Sequence, residues 1–87
     1  MVIKDTSDFT CLTIDNTRTD SWTGLIIGPG GSRLKNMDKK HNTLTRIHHA
    51  ADVTRIMICK RNITTRASER IQMAEDIQKE IVKILTR

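Results

Sequence analysis

The sequence has few aromatic residues and no long hydrophobic run. Its 87 residues include one Trp, one Phe and no Tyr, so it lacks the rings on which many single-strand-binding proteins stack bases. The longest unbroken aliphatic run covers residues 25–27, far below the roughly 20 apolar residues that span a bilayer. Charged residues follow soon after Met1, so we expect neither a membrane segment nor a secretory signal.

Cysteine is also scarce. Cys11 and Cys59 lie far apart, and neither has a second cysteine or a histidine nearby at metal-ligand spacing. A structural zinc site needs about four ligands at short spacings, and small secreted domains normally contain more cysteines. Both residues lie in strand-like alternations. We therefore predict buried, reduced thiols, no metal or other cofactor, and a location in the cytoplasm or the nucleus.

Length and composition indicate one small globular domain, because 87 residues are too few for two separate cores. The net charge of +5 is concentrated in one stretch. Residues 33–61 contain eight basic and two acidic residues, whereas residues 1–32 contain two basic and four acidic residues. The basic stretch directly follows the glycine-rich segment, which favours a polyanion bound at one place over a solvated surface with a chance bias.

The apolar periodicity predicts an α+β domain. Segments rich in apolar and β-branched residues are typical of strands, and apolar residues three and four apart predict a long amphipathic helix. One layer of helices should cover one face of the sheet. The predicted elements are strands at residues 8–14, 42–48 and 53–59, short helices at residues 21–27 and from an N-cap at Ser32, and a long helix from Ala67 to Leu85.

The segment Gly28-Pro29-Gly30-Gly31 is by itself typical of a turn, since a type II turn favours Pro and Gly at its central positions. Its context is more specific: Gly24-Leu25-Ile26-Ile27 precedes it and Ser32-Arg33-Leu34-Lys35 follows it. This pattern resembles the KH domain, whose signature is Gly-x-Ile-Ile-Gly-x-x-Gly followed by an aliphatic residue, often a Lys, and a β-hairpin. The resemblance covers residues 8–86 and leaves residues 1–7 as an N-terminal extension.

The resemblance implies the type I, eukaryotic KH fold, β-α-α-β-β-α, with a three-stranded antiparallel sheet and three helices packed on one face. It also implies a domain that holds about four nucleotides of single-stranded RNA, without catalysis or a small-molecule substrate. Glycines let a phosphate approach the main chain, and a helix N-terminus adds N–H donors. The bases would occupy an aliphatic groove beside the second strand. The implied site residues are Gly24, Leu25, Gly28, Pro29, Gly30, Gly31, Ser32, Arg33, Leu34, Lys35, Arg46 and Ile47.

Three alternatives stay open from the sequence. Pro29 stands where the family commonly has Lys or Arg, and proline brings neither a charge nor an N–H, so RNA binding is weakened or replaced by a protein–protein function. Single-stranded DNA is not distinguished from RNA, because no residue is assigned to the 2′-OH. A change of one residue in strand register would exchange Arg46 and Ile47 between the two faces of the sheet. The domain is expected to work beside other domains of a larger protein.

The remaining ring-bearing residues have ordinary interpretations. Trp22 is expected to pack on the sheet or to cover the first helix. His41, His48 and His49 have neither a carboxylate partner nor ligand spacing in the sequence, so we expect them to be solvated in loops.

Overall fold

The computed structural model describes residues 1–15, residue 28 and residues 31–85. Within these residues, four strands form one antiparallel sheet in the order β1-β2-β4-β3, and two helices pack on one of its faces. The chain is therefore an α+β domain, as the sequence predicts. The described elements are β1 (Val2–Asp5), β2 (Phe9–Asp15), α1 (Ser32–His41), β3 (Thr43–His49), β4 (Val53–Lys60) and α2 (Ala67–Leu85).

The predicted three-stranded sheet is wrong. Residues 2–5, which the sequence assigned to an extension, form β1 and pair with β2 from Val2↔Thr13 to Asp5↔Thr10. The turn between the two strands is held by Thr6, whose N–H and hydroxyl both donate to the Phe9 carbonyl, at 2.8 and 2.9 Å. A strand of four residues is too short to show a clear alternation. The predicted helix at residues 21–27, with Trp22, lies outside the described residues.

The hydrophobic core lies between the sheet and α2. Alternation along β2 and β4 places every second side chain under the helix, because successive residues of a strand point to opposite faces. Leu12 and Ile14 of β2 share this face, and Ile56 and Ile58 of β4 lie on the same face beside them. The buried apolar cluster consists of Leu12, Ile14, Ile56, Ile58, Met73, Ala74, Ile77 and Ile81.

The two cysteines correct one expectation. Cys11 and Cys59 are unpaired and half-buried, and they lie on the face of the sheet opposite the helices. The reason is the same alternation, because Thr10, Leu12 and Ile58 take the helix-facing positions between them. The prediction of buried thiols is therefore wrong, although both residues do lie in strands.

A buried arginine ties the β1–β2 hairpin to α2. Arg70 is 2% exposed. Its guanidinium donates to the Thr6 carbonyl at 3.0 Å and to Asp5 Oδ1 at 3.3 Å, and its Nε donates to Thr10 Oγ1 at 3.4 Å. The Thr10 hydroxyl in turn donates to Asp5 Oδ1 at 2.7 Å. Each partner of Arg70 thus lies on the hairpin, so this network fixes the added strand to the rest of the fold.

This network makes part of the stability depend on pH. The hydrogen bond from Thr10 is the largest cause that lowers the pKa of Asp5, and Arg70 adds to it, whereas desolvation opposes both. A lowered folded-state pKa stabilises the fold above the unfolded pKa, about 4, and that stabilisation is lost as pH falls through the folded value. We expect urea unfolding midpoints to fall more steeply below pH 4 in the wild type than in Asp5→Asn. Asp8→Asn, in the same hairpin, is the control and should keep the wild-type slope.

Candidate nucleic-acid interface

The glycine segment has the backbone geometry of a tight turn. Gly28 and Gly31 have φ angles of 75° and 74°, and the Gly31 N–H donates to the Gly28 carbonyl at 3.1 Å. A Cβ atom added at Gly28 would lie 2.8 Å from the Cβ of Arg33. Glycine is therefore required at position 28 by both its backbone conformation and the space available. The predicted site residues Gly24, Leu25, Pro29 and Gly30 lie outside the described residues.

Helix α1 begins directly after this turn. Its N-cap is Gly31 in the left-handed conformation, without a side-chain cap hydrogen bond, so the prediction of Ser32 as the cap is wrong. The first turn contains no acidic residue. The first N–H groups of an α-helix have no partner within the helix, and they carry the positive end of the helix dipole. The turn and the helix therefore present backbone donors and a partial positive charge at the same place.

Asp38 holds the other end of α1 against the edge strand β3. It is 6% exposed, and its carboxylate accepts hydrogen bonds from the Thr43 hydroxyl at 2.8 Å, the Thr45 hydroxyl at 2.6 Å and the Thr45 N–H at 3.1 Å. Asn42, in the left-handed conformation with φ 56°, forms the tight link between the two elements. These contacts set the separation of α1 and β3.

A cationic groove opens between α1 and β3. It has a volume of about 340 Å³. Lys35 and Lys39 are exposed and one helical turn apart on α1, and exposed Arg61 follows β4. The lining combines three cations with one carboxylate, Asp38, so its net charge is positive. The lining residues are Ser32, Lys35, Asn36, Asp38, Lys39, Leu44 and Arg61.

The predicted site residues lie in three different surroundings: the groove, the core and the contact with α2. Ser32 and Lys35 line the groove. Leu34 and Ile47 are half-buried and pack against the core. Arg33 points the other way, toward α2, where its guanidinium lies 2.6 Å from Glu80 Oε2.

The register of β3 is also settled. Thr43, Thr45 and Ile47 face the helices, and Arg46 lies on the opposite face, where it pairs with Met57. Arg46 is not among the residues that line the groove. The β3 residue that lines it is Leu44, which is on the same side of the strand but near its start. Ile47 points to the helix face, where it packs against the core.

The predicted site residues do not include five of the residues that line the groove: Asn36, Asp38, Lys39, Leu44 and Arg61. Lys39 lies four residues after Lys35, and this helical spacing would have placed both on one face of α1. Leu44 and Arg61 enter the groove only because β3 and β4 are paired at Leu44↔Cys59 and Thr43↔Lys60. No local pattern signals that pairing.

A second charged cluster lies between the two described helices. His41 is 8% exposed, and its Nε2 lies 2.8 Å from Asp76 Oδ2. The prediction of a solvated His41 is therefore wrong, because its partner comes from a distant helix. His48 is exposed, as expected, but His48 and His49 belong to β3 rather than to a loop. Among the described residues, no three His, Cys, Asp or Glu side chains form a cluster that would hold a metal ion.

Comparisons with known proteins do not assign the chain to a family. No family model matches it, and the searches of curated proteins and of solved structures found no match. Neither described helix combines the length and the apolar character that a bilayer crossing requires. A function for the chain therefore depends on the groove between α1 and β3.

Proposed function

We propose that this domain binds single-stranded RNA in the groove between α1 and β3, in a KH-like manner and without catalysis. One observation carries the proposal. Ser32, at the N-terminus of α1, and the cations Lys35, Lys39 and Arg61 line one groove at the edge of the sheet, and the glycine turn directly precedes Ser32. Backbone donors at a helix N-terminus favour a phosphate, and lysines along the same helix face continue the attraction along a strand.

The edge of β3 supplies groups for the bases. Thr45 directs its N–H away from β4, to Asp38. Backbone groups of an antiparallel strand alternate in direction, so the N–H and C=O of Ile47 point toward the same side. A donor and an acceptor next to each other can pair with the edge of an unstacked base. The proposed arrangement has phosphates on the α1 side and bases on the β3 side.

The additional strand is compatible with this proposal. The three strands that the KH resemblance requires correspond to β2, β3 and β4, which are adjacent in the sheet. β1 is added at the edge formed by β2, and β3 is the opposite edge. The proposed groove therefore lies on the side of the sheet far from the added strand.

The expected affinity is modest. Arg33, the cation nearest the glycine turn, is engaged with Glu80, and Pro29 contributes no charge. The test is an NMR titration of the domain with pools of randomised RNA and DNA of four to six bases. We expect shifts at Gly31 to Lys39, at Thr43 to Ile47 and at Arg61, and the two pools distinguish RNA from DNA. Shifts confined to the opposite sheet face, or none at low salt, would contradict the proposal.

Removing the two helix lysines should change the salt dependence of binding. For a single strand, log K falls with log salt by about 0.7 per phosphate contact. Lys35→Ala with Lys39→Ala should therefore reduce that slope by about 1.4 and weaken binding about tenfold at low salt. Fluorescence anisotropy at several salt concentrations measures both quantities.

The matched control is Lys79→Ala with Lys83→Ala. These lysines are exposed on α2, beside the cluster of Arg33 and Glu80 rather than the groove. The double variant has the same net charge as the groove variant. It should keep the wild-type slope, and equal effects of the two double variants would show that only total charge matters.

A further inference from the structure

The face of the sheet opposite the helices, here called the open face, has an apolar centre. Antiparallel pairing aligns Phe9, Cys59 and Leu44 in one row across β2, β4 and β3. Phe9 and Cys59 are half-buried and Leu44 is 45% exposed. Neither described helix packs on this face. An apolar row left exposed on a small domain is typical of an interaction surface.

The next row also has an apolar centre, and it has a cation at each end. It crosses all four strands as Lys4, Cys11, Met57 and Arg46. Both cations are exposed, and Cys11 and Met57 are half-buried. Arg55, two residues along β4 from Met57, adds a third exposed cation.

The surface is concave where these rows meet β1. A depression of about 450 Å³ lies among Lys4, Phe9, Cys11, Arg55 and Met57. Asp15, an acidic residue on this face, lies four residues from Cys11 along β2 and does not line the depression. An apolar centre with a charged rim is the composition of a protein–protein interface.

We propose that the open face binds an acidic amphipathic helix of a partner protein. Four strands at about 4.8 Å spacing put Lys4 and Arg46 about 14 Å apart across the sheet. A helix rises 1.5 Å per residue, so acidic residues about ten positions apart would reach both cations. The apolar stripe between them would cover Cys11 and Met57, with Phe9 beside it.

Two other occupants fit the open face less well. A second copy bound face to face would bring Lys4, Arg46 and Arg55 of both chains together, which like-charge repulsion opposes. The phosphates of a nucleic-acid strand would match these cations, but the strand would leave the half-buried Cys11 and Met57 without an apolar partner. This proposal goes beyond RNA binding. The open face and the groove share Leu44, at the edge of β3, but the cations proposed to bind the two ligands are different, so either proposal can fail without the other.

The chain's two cysteines allow a direct test, since both lie on the open face. The probe is a synthetic helical peptide with a Leu stripe flanked by Glu residues about ten positions apart. The comparison peptides carry Lys in place of Glu, or the same residues in scrambled order. We expect the Glu peptide alone to slow maleimide labelling of Cys11 and Cys59 at least fivefold. Cys11→Ser and Cys59→Ser assign the two thiols.

A charge-reversal variant tests the rim. Lys4→Glu with Arg46→Glu and Arg55→Glu should weaken the Glu peptide at least tenfold and favour the Lys peptide. Lys35→Glu with Lys39→Glu and Lys79→Glu has the same net charge but leaves the open face unchanged, and should bind the Glu peptide within twofold of wild type. NMR spectra check that both variants fold.

Four results would overturn the proposal. The first is no protection of either thiol at millimolar Glu peptide, and the second is equal protection by the Lys peptide. Equal protection by an RNA pool would assign the open face to nucleic acid. Protection that increases with protein concentration alone would assign it to a second copy.

Discussion

A variant carrying Gly30→Asp and Gly31→Asp is expected to lose RNA binding by at least 100-fold while keeping its fold. Two carboxylates would lie where the first phosphate is proposed to bind, and placing like charges together costs several kcal/mol. The fold should persist because Asp tolerates a positive φ better than most residues, which matters at Gly31. A carboxylate at the N-terminus of α1 is also favourable with the helix dipole.

The matched control is Gly30→Asn with Gly31→Asn. Asn has nearly the same size and backbone tolerance as Asp, so only the charge differs. Anisotropy titrations at fixed low salt should show less than a tenfold loss for the Asn variant. If the Asp variant binds like the Asn variant while thermal unfolding shows both folded, the phosphate does not bind at the glycine turn.

The elements set by local patterns were predicted well. The long helix from Ala67 to Leu85 was predicted with its observed ends, because its apolar stripe repeats over several turns. Strands β2, β3 and β4 were predicted within a residue or two, since each has a full alternation with one face buried. The order of these strands in the sheet and their register depend on pairing between distant residues, which local patterns do not show. β1 was missed because its four residues, two of them charged, carry no such pattern.

The site was harder to predict because its key contacts join distant residues. Arg33 and Lys35 are alike in the sequence, but Arg33 meets Glu80 on α2 whereas Lys35 remains on the groove side. His41 is buried because Asp76 lies opposite it. Neither partner is near in the sequence. The sequence shows which residues are cationic. The packing of α1 on α2 determines which of these cations face the groove and can contact a ligand.

The groove and the fold's stability depend on the same residue, Asp38. Its three hydrogen bonds connect the C-terminal half of α1 to the first residues of β3. Asp38 also contributes a negative charge next to Lys35 and Lys39. In an RNA-binding groove such a charge is unfavourable for the ligand, so its presence there is explained by structure: it is a buried acceptor that holds α1 and β3 at a fixed separation.

Asp38→Ala should therefore lower the free energy of unfolding by about 2–4 kcal/mol. A buried donor left unsatisfied costs about 1–3 kcal/mol, and the two donors of the half-buried Thr45 add less because water can replace the carboxylate there. The Thr43 hydroxyl would be the buried donor, since Thr43 is fully buried. Asp38→Asn should cost less, because its amide oxygen still accepts from the hydroxyls while its NH2 meets the Thr45 N–H unfavourably. Urea unfolding measures each change.

A double-mutant cycle separates this role from a general loss of packing. Thr43→Val should be destabilising in the wild type but nearly neutral in the Asp38→Ala background, because the hydroxyl it removes has then already lost its acceptor. Equal effects in both backgrounds would show that the two residues are not coupled. RNA affinity, measured where both variants are folded, should be lower for Asp38→Ala than for Asp38→Asn. Both variants remove the negative charge, but only Asp38→Ala also removes the contacts that hold α1 and β3 at a fixed separation. Equal affinities would mean that the groove keeps its shape without these contacts.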